Sequence, residues 1–324
     1  MKNKFIILFF FIFLFTGCKN YKDLEQIGLV YGLQVSVNNN KYQFLFEFLT
    51  PKEEDIFKSE KYQVQCEKIN DCIQELYLSS NKKIYLEHLE LLVLSNNITK
   101  EHLKELTNFF LTRNDARTNF SVVVQDDSIN KKDYNLKSIL NLLEVNMEEV
   151  GMVSIVSFDE IIQILLKEEE LYLPYISLKE DTNKVLGMIE VSSLNKILST
   201  NNSIIYNFIK NNVKNVSFLI EENEFKVSDS LVVFSAKKDK IIVTVDSNIQ
   251  VSSCSSNYSI LQKQYEDFLS SSLESFLRNH YSIYLNNFYK NRFPNQNSNN
   301  YSIEVLFDTK IKIIESEDFL CNTK

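Results

Sequence analysis

The side chains able to do acid–base, nucleophilic or metal chemistry are few and scattered. The three histidines are His88, His102 and His280, and no two stand at a spacing that brings a pair to one metal ion. Beyond Cys18 the cysteines are Cys66, Cys72, Cys254 and Cys321, and their spacing fits no zinc template. Cys66 and Cys72 could pair outside the cell if the geometry allows; small buried apolar residues are the preferred reading. The acidic runs Glu53-Glu54-Asp55 and Glu168-Glu169-Glu170 could serve as paired carboxylates, although such runs more often form solvated faces. No nucleophile elbow, Walker loop, H-E-x-x-H or dinucleotide fingerprint occurs. Gly 5 and Pro 3 in 324 residues leave little material for a glycine-rich phosphate cradle. Catalytic, metal and cofactor-binding residues are all expected to be none, and the chain reads as non-enzymatic.

Cys18 has a different setting. It follows a basic start (Lys2, Lys4), an unbroken apolar run from Phe5 to Phe15, and Thr16-Gly17. That run of eleven residues suits a signal-peptide core, whereas a spanning helix needs about 20. Phe15-Thr16-Gly17-Cys18 resembles a bacterial lipobox, with small residues that let the peptidase reach the backbone and a thiol that takes a diacylglyceryl group. Phe15 stands where Leu is usual. Residues 1–17 are expected to be removed and Cys18 to carry the lipid. Acyl burial is worth about 0.8 kcal/mol per methylene, so two chains hold a protein on a bilayer where one holds it only marginally.

Charge agrees with anchoring by lipid rather than by electrostatics. Lys+Arg 35 against Asp+Glu 43 gives −8, and losing Lys2 and Lys4 lowers the mature chain to −10. A chain this acidic is not drawn to anionic lipid and lacks the basic footprint of a nucleic-acid binder.

Along the elements that carry these residues the apolar period alternates between two and about three and a half. Leu33, Val35 and Val37, then Asn38-Asn39-Asn40, then Tyr42, Phe44, Phe46 and Phe48 predict a hairpin. Ile69, Cys72, Ile73, Leu76 and Tyr77 share a helix face. Lys83–Leu94 reads as one strand containing His88. Thr99 caps a helix carrying Leu103, Leu106, Phe109 and Phe110, and 118–125 returns as a strand. A polar connector near 126–135 precedes a short helix or a mobile segment over 136–145. Ser157 caps a helix that ends in Glu168–Glu170, and 172–178 pairs with 184–191. Residues 193–210 read as helix, with Asn201-Asn202 a candidate break. In the last third, strands over 216–220, 231–235 and 240–252 precede one long helix, 258–293, and a closing strand, 301–314. The fold class is α/β (α+β) and multi-domain, with mixed and antiparallel sheets packed with helices and a C-terminal antiparallel sheet under one long helix. The expected units are 1–17 (signal peptide), 18–180 (divisible at the connector) and 181–324, the last comprising a small 181–212 segment and a 213–324 sheet-and-helix unit.

The order of several motifs resembles the Ger(x)C family of spore germination lipoproteins, the C subunits of nutrient germinant receptors. Cys18-Lys19-Asn20-Tyr21-Lys22-Asp23-Leu24, then Ile27–Leu33, resembles the family's start, C-W-D-x-R-E-[LI] and a Gly-containing strand. Lys19 and Asn20 depart from its Trp and Asp. Lys82–Leu94 resembles the family's basic, aromatic, His-Leu and apolar segment, with His88 on the common His and Asn108–Arg113 ending the helix that follows. Leu173-Pro174-Tyr175-Ile176 is similar to its Leu-Pro-x-Ile, and 184–189 stands where a Gly-bearing strand is expected. The resemblance implies three mixed α/β domains and a place on the outer face of the inner spore membrane, held by diacylglyceryl-Cys18. It also implies the receptor's A and B membrane subunits as partners, with a role in assembling or stabilising the receptor and the nutrient bound elsewhere. The competing expectation is an extracytoplasmic solute- or peptide-binding lipoprotein.

Overall fold

Alternating apolar residues make the first two strands, and their buried sides face one core. The computed structural model describes residues 27–51, 57–80, 82–126, 136–178, 183–252, 257–296 and 301–314. Cys18, the signal segment, Glu53–Asp55, Cys254, Cys321 and most of the polar connector lie outside them. β1 (Ile27–Asn38) and β2 (Lys41–Pro51) form the expected antiparallel hairpin. Asn39 and Asn40 close it at φ 49° and 59°, a left-handed conformation asparagine tolerates better than most residues. Tyr42, Phe44, Phe46 and Phe48 are all buried on one side of β2, as period-two geometry requires. β3 (Phe57–Cys66) pairs with β2, and α1 (Ile69–Ser79) packs back on both.

The stretch read as one strand over 83–94 is two, a correction with a clear cause. β4 (Lys83–Tyr85) and β5 (Leu91–Ser95) both pair in parallel with β1, on either side of an irregularity between Val30 and Gly32. Leu86 and Leu89 turn inward and are buried, and the Leu89 amide donates to the Leu86 carbonyl at 3.2 Å. Glu87 and His88 are thereby exposed at a turn, so His88 is not inside a strand.

α2 (Lys100–Leu111), β6 (Ser121–Gln125), α3 (Leu136–Glu149), β7 (Val156–Ser157), α4 (Phe158–Leu166), β8 (Tyr172–Leu178), β9 (Asn183–Glu190) and β10 (Lys196–Ile197) complete the first unit. Among the described residues its sheet has ten strands, with the path β10-β9-β8-β6-β5-β1-β2-β3. The central strands β1, β5, β6 and β8 are parallel. β5 is buried at every position, the continuous apolar run of a strand covered on both faces. Leu136, the first residue of α3, meets β1 where Gly32 leaves bare backbone; a Cβ there would stand 1.6 Å from Leu136 Cδ1. The sheet runs through β9 and β10, so it spans the boundary read at residues 180/181.

α5 (Thr200–Ile209) starts later than the 193–210 helix expected, with Ser199 as its cap, accepting from the Asn202 amide at 3.2 Å. β11 (Val216–Ile220), β12 (Asn223–Lys237), β13 (Lys240–Ser252), α6 (Tyr258–His280), α7 (Ser282–Arg292) and β14 (Ser302–Ile314) follow. The second sheet has the order β11-β12-β13-β14. Its first three strands are antiparallel, but β14 lies parallel to β13 from Ser302 on Lys240 to Ile314 on Ser252. This corrects the antiparallel expectation: the helices between β13 and β14 supply the long crossover that a parallel neighbour needs. The single helix expected over 258–293 is also two, broken where Tyr281 leaves helical geometry at φ −137° and ψ 23°. Leu261, Tyr265, Leu269, Leu273, Phe276 and Leu277 of α6 are buried and Phe268 is partly buried, so the apolar stripe is core.

Candidate functional site

The titratable residues singled out in the sequence are placed far apart. His88 is exposed at its turn. His102 sits at the third position of α2, where its Nδ1 accepts the Thr99 amide at 3.1 Å, satisfying one of the donors that a helix start leaves free; its ring meets Tyr42 edge-on at 5.8 Å. His280 ends α6 and stacks on Phe276 at 5.2 Å. Burial first, and then Lys196, holds its pKa below the ordinary imidazole value. Among the described residues no group of three His, Cys, Asp or Glu could hold a metal ion.

Cys66 and Cys72 are disulfide-bonded, with Cα atoms 5.2 Å apart. The preferred reading as separate buried thiols is thus overturned. Cys66 ends β3 and Cys72 faces inward from the first turn of α1, so the pairing follows from α1 folding straight back on its strand.

The acidic run after α4 does the least expected work. Glu168 takes the left-handed conformation at φ 56°, ends the helix and turns the next two carboxylates toward the second unit. Glu170 reaches the start of α7, accepting from the Ile283 amide at 2.6 Å and the Tyr284 amide at 3.1 Å. Those are orphan donors of a new helix N-terminus, where a negative charge is also favoured by the helix dipole. This cap explains why the long helix restarts after Tyr281. Glu169 is buried, and that burial raises its carboxyl pKa above the ordinary value. Asn287 of α7 donates to the Lys167 carbonyl at 3.1 Å, and the Tyr172 hydroxyl donates to the His280 carbonyl.

Aromatic rings fill the joint. Tyr172 and Tyr206 lie 5.0 Å apart, and Phe276 stands 6.0 Å from Tyr172. Tyr281 packs 6.3 Å from Tyr206 and 4.6 Å from Tyr284. Burial pushes the Tyr172, Tyr206 and Tyr281 phenols well above their ordinary range, so they stay protonated and un-nucleophilic. The most elaborate polar arrangement in the described structure therefore clamps α6 and α7 of the second unit to the α4–β8 connection of the first. Sequence reasoning missed Glu170 as a cap because nothing in local spacing links it to residues 282–284.

The surface grooves among the described residues include two between helix and neighbouring elements. One, of about 630 Å³, lies between the β11–β12 turn and α6, lined by Ile220, Glu221, Lys263, Asp267 and Phe268 among others. The other, of about 260 Å³, lies between the start of α1 and the end of α2. Neither brings a nucleophile to a base.

Comparison with known proteins follows the first unit closely. Residues 20–178 match the family model described as the spore germination protein N-terminal domain. Over 122 residues the chain is 23% identical to spore germination protein B3 of Bacillus subtilis (strain 168), a match covering 36% of this chain and 32% of that one. The matched part is about a third of that relative's length. A solved structure, the crystal structure of the GerBC protein, aligns over 90% of this chain and 100% of its own at 12% identity, with a TM-score of 0.48.

Proposed function

Since the chain belongs, through residues 20–178, to the Ger(x)C family of spore germination proteins, we propose that it is the lipid-anchored, non-catalytic C subunit of a nutrient germinant receptor. The observation that carries this reading is the position of the matched domain: it begins at residue 20, two residues after the Cys18 that closes the lipobox-like segment. That arrangement supports a receptor subunit displayed outside the cytoplasmic membrane on a diacylglyceryl tether. It also agrees with the described residues containing no helix long and apolar enough to cross a membrane. The partners are the receptor's A and B membrane subunits, and the contribution is to assemble or stabilise the complex on the outer face of the inner spore membrane. The well-packed joint between the two sheet units suits a scaffold better than a reaction vessel.

The test is affinity capture of the intact lipidated protein from spore inner membranes. Two multi-span membrane proteins should co-purify with it. Recovery of the chain without them, from spores that contain an assembled receptor, would sink the assignment.

A further inference from the structure

One surface cluster is unlike its surroundings and lies where the chain leaves toward Cys18. α1 buries Ile69, Cys72, Ile73 and Leu76, yet its last turn presents Leu78 at 82% exposure and Tyr77 at 44%. Five residues after Leu78, exposed Lys83 holds its ammonium 4.9 Å above the Tyr85 ring. The helix ends at Ser79 and β4 begins at Lys83, so the short connection holds the last turn of α1 beside the start of the strand, and the Tyr85 hydroxyl raises the Lys83 pKa above its ordinary value. Two nearby carboxylates are engaged, Asp115 by both Nε and a terminal nitrogen of Arg113, at 2.9 and 2.6 Å, and Glu60 by Lys82 at 2.7 Å, while Glu75 and Glu87 are exposed. Lys83 is also the direct strand partner of Ile27, the first described residue and the ninth after Cys18. Nine residues span at most about 30 Å even when fully extended.

We propose that the Tyr77, Leu78, Lys83 and Tyr85 surface is the face that rests on the bilayer. The chemistry fits a membrane interface: a fully exposed Leu to enter the acyl boundary, tyrosines with an apolar body and a polar tip, and a lysine that lies along apolar surface while its charge stays among headgroups. The short tether keeps this end of β1 within reach of the membrane, and the cluster decides how the body is oriented there. The Cys66–Cys72 bond and the buried face of α1 hold the cluster rigidly. The proposal rests on the lipid-anchor reading of Cys18, and its test separates the two.

The chain contains no Trp, so Tyr77→Trp introduces a sole indole. The full-length lipidated protein is placed on vesicles of phosphatidylglycerol and phosphatidylethanolamine, with and without brominated acyl chains. Indole emission should be quenched about twofold or more, as for a side chain at the acyl boundary. The same substitution at Tyr258, at the start of α6, should show no quenching. Leu78→Trp repeats the measurement at a position exposed enough to tolerate any side chain. Co-sedimentation with no quenching at either 77 or 78 would overturn the orientation while leaving the anchor intact. Loss of co-sedimentation altogether would overturn the anchor, and the orientation with it.

Discussion

Glu170 joins a loop of the first unit to a helix start more than a hundred residues later, and single side chains at this joint carry measurable stability. Replacing a good cap by Ala typically costs about 0.5–2 kcal/mol, so Glu170→Ala should lower the melting temperature by a few degrees, with Glu170→Gln, which keeps an acceptor, losing less. Two titratable neighbours act with opposite signs. The folded-state pKa of His280 is lowered by burial, so its contribution is complete above the unfolded value and is lost as pH falls through the folded one. Melts between pH 7 and pH 5 should show an acid loss that His280→Asn reduces. Glu169 is raised by burial, so its protonated form favours the fold and stability falls as pH rises through the raised value. Glu169→Gln should therefore raise the melting temperature at pH 7 and change little at pH 4. The residues of this joint were present in the sequence as an acidic run, a lone His and scattered tyrosines. Their types were legible, but their meeting was not, because it depends on how two sheets pack rather than on any local period.

At the scale of elements the sequence was far more informative. Alternation on β2, the capped helix at Thr99 and the buried stripe of α6 were readable, since each follows from a period that burial enforces locally. What escaped were the interruptions: the β4–β5 break, the restart of a helix at Ser282 and the direction of β14. Each is set by a neighbour remote in sequence, namely the irregularity in β1, the Glu170 carboxylate and the crossover length. The helical stripe makes a quantitative claim. Leu269 is fully buried, so Leu269→Ala should destabilise the chain by about 2–5 kcal/mol, whereas Glu266→Ala on the same helix should stay within about 0.5 kcal/mol. Chemical denaturation of the two variants measures both. Gly32→Ala should cost about 1–3 kcal/mol by overpacking, because its methyl group would occupy the place of Leu136. The Cys66–Cys72 bond predicts a stability loss of up to about 3 kcal/mol in Cys66→Ser, with the same loss produced in the natural chain by a reductant.

For the whole molecule, the proposed tether and the two sheets set the behaviour. Cys18→Ala should release the chain into the soluble fraction when partner subunits are absent, as fractionation of spore-forming cells would show; continued sedimentation would refute the anchor. Parallel pairing of β14 with β13 has a consequence in time as well as in space. Ile241 is partnered by Ile303, so β13 remains an open edge until some sixty further residues have been made. Contacts this distant in sequence form slowly, and the apolar side of an unpaired strand invites association with other chains. The second unit can therefore close only after β14 has been made, and a chain truncated before residue 302 should accumulate as aggregate or be degraded. Its maturation would then depend on whatever chaperones guard the unclosed edge of β13 in the meantime.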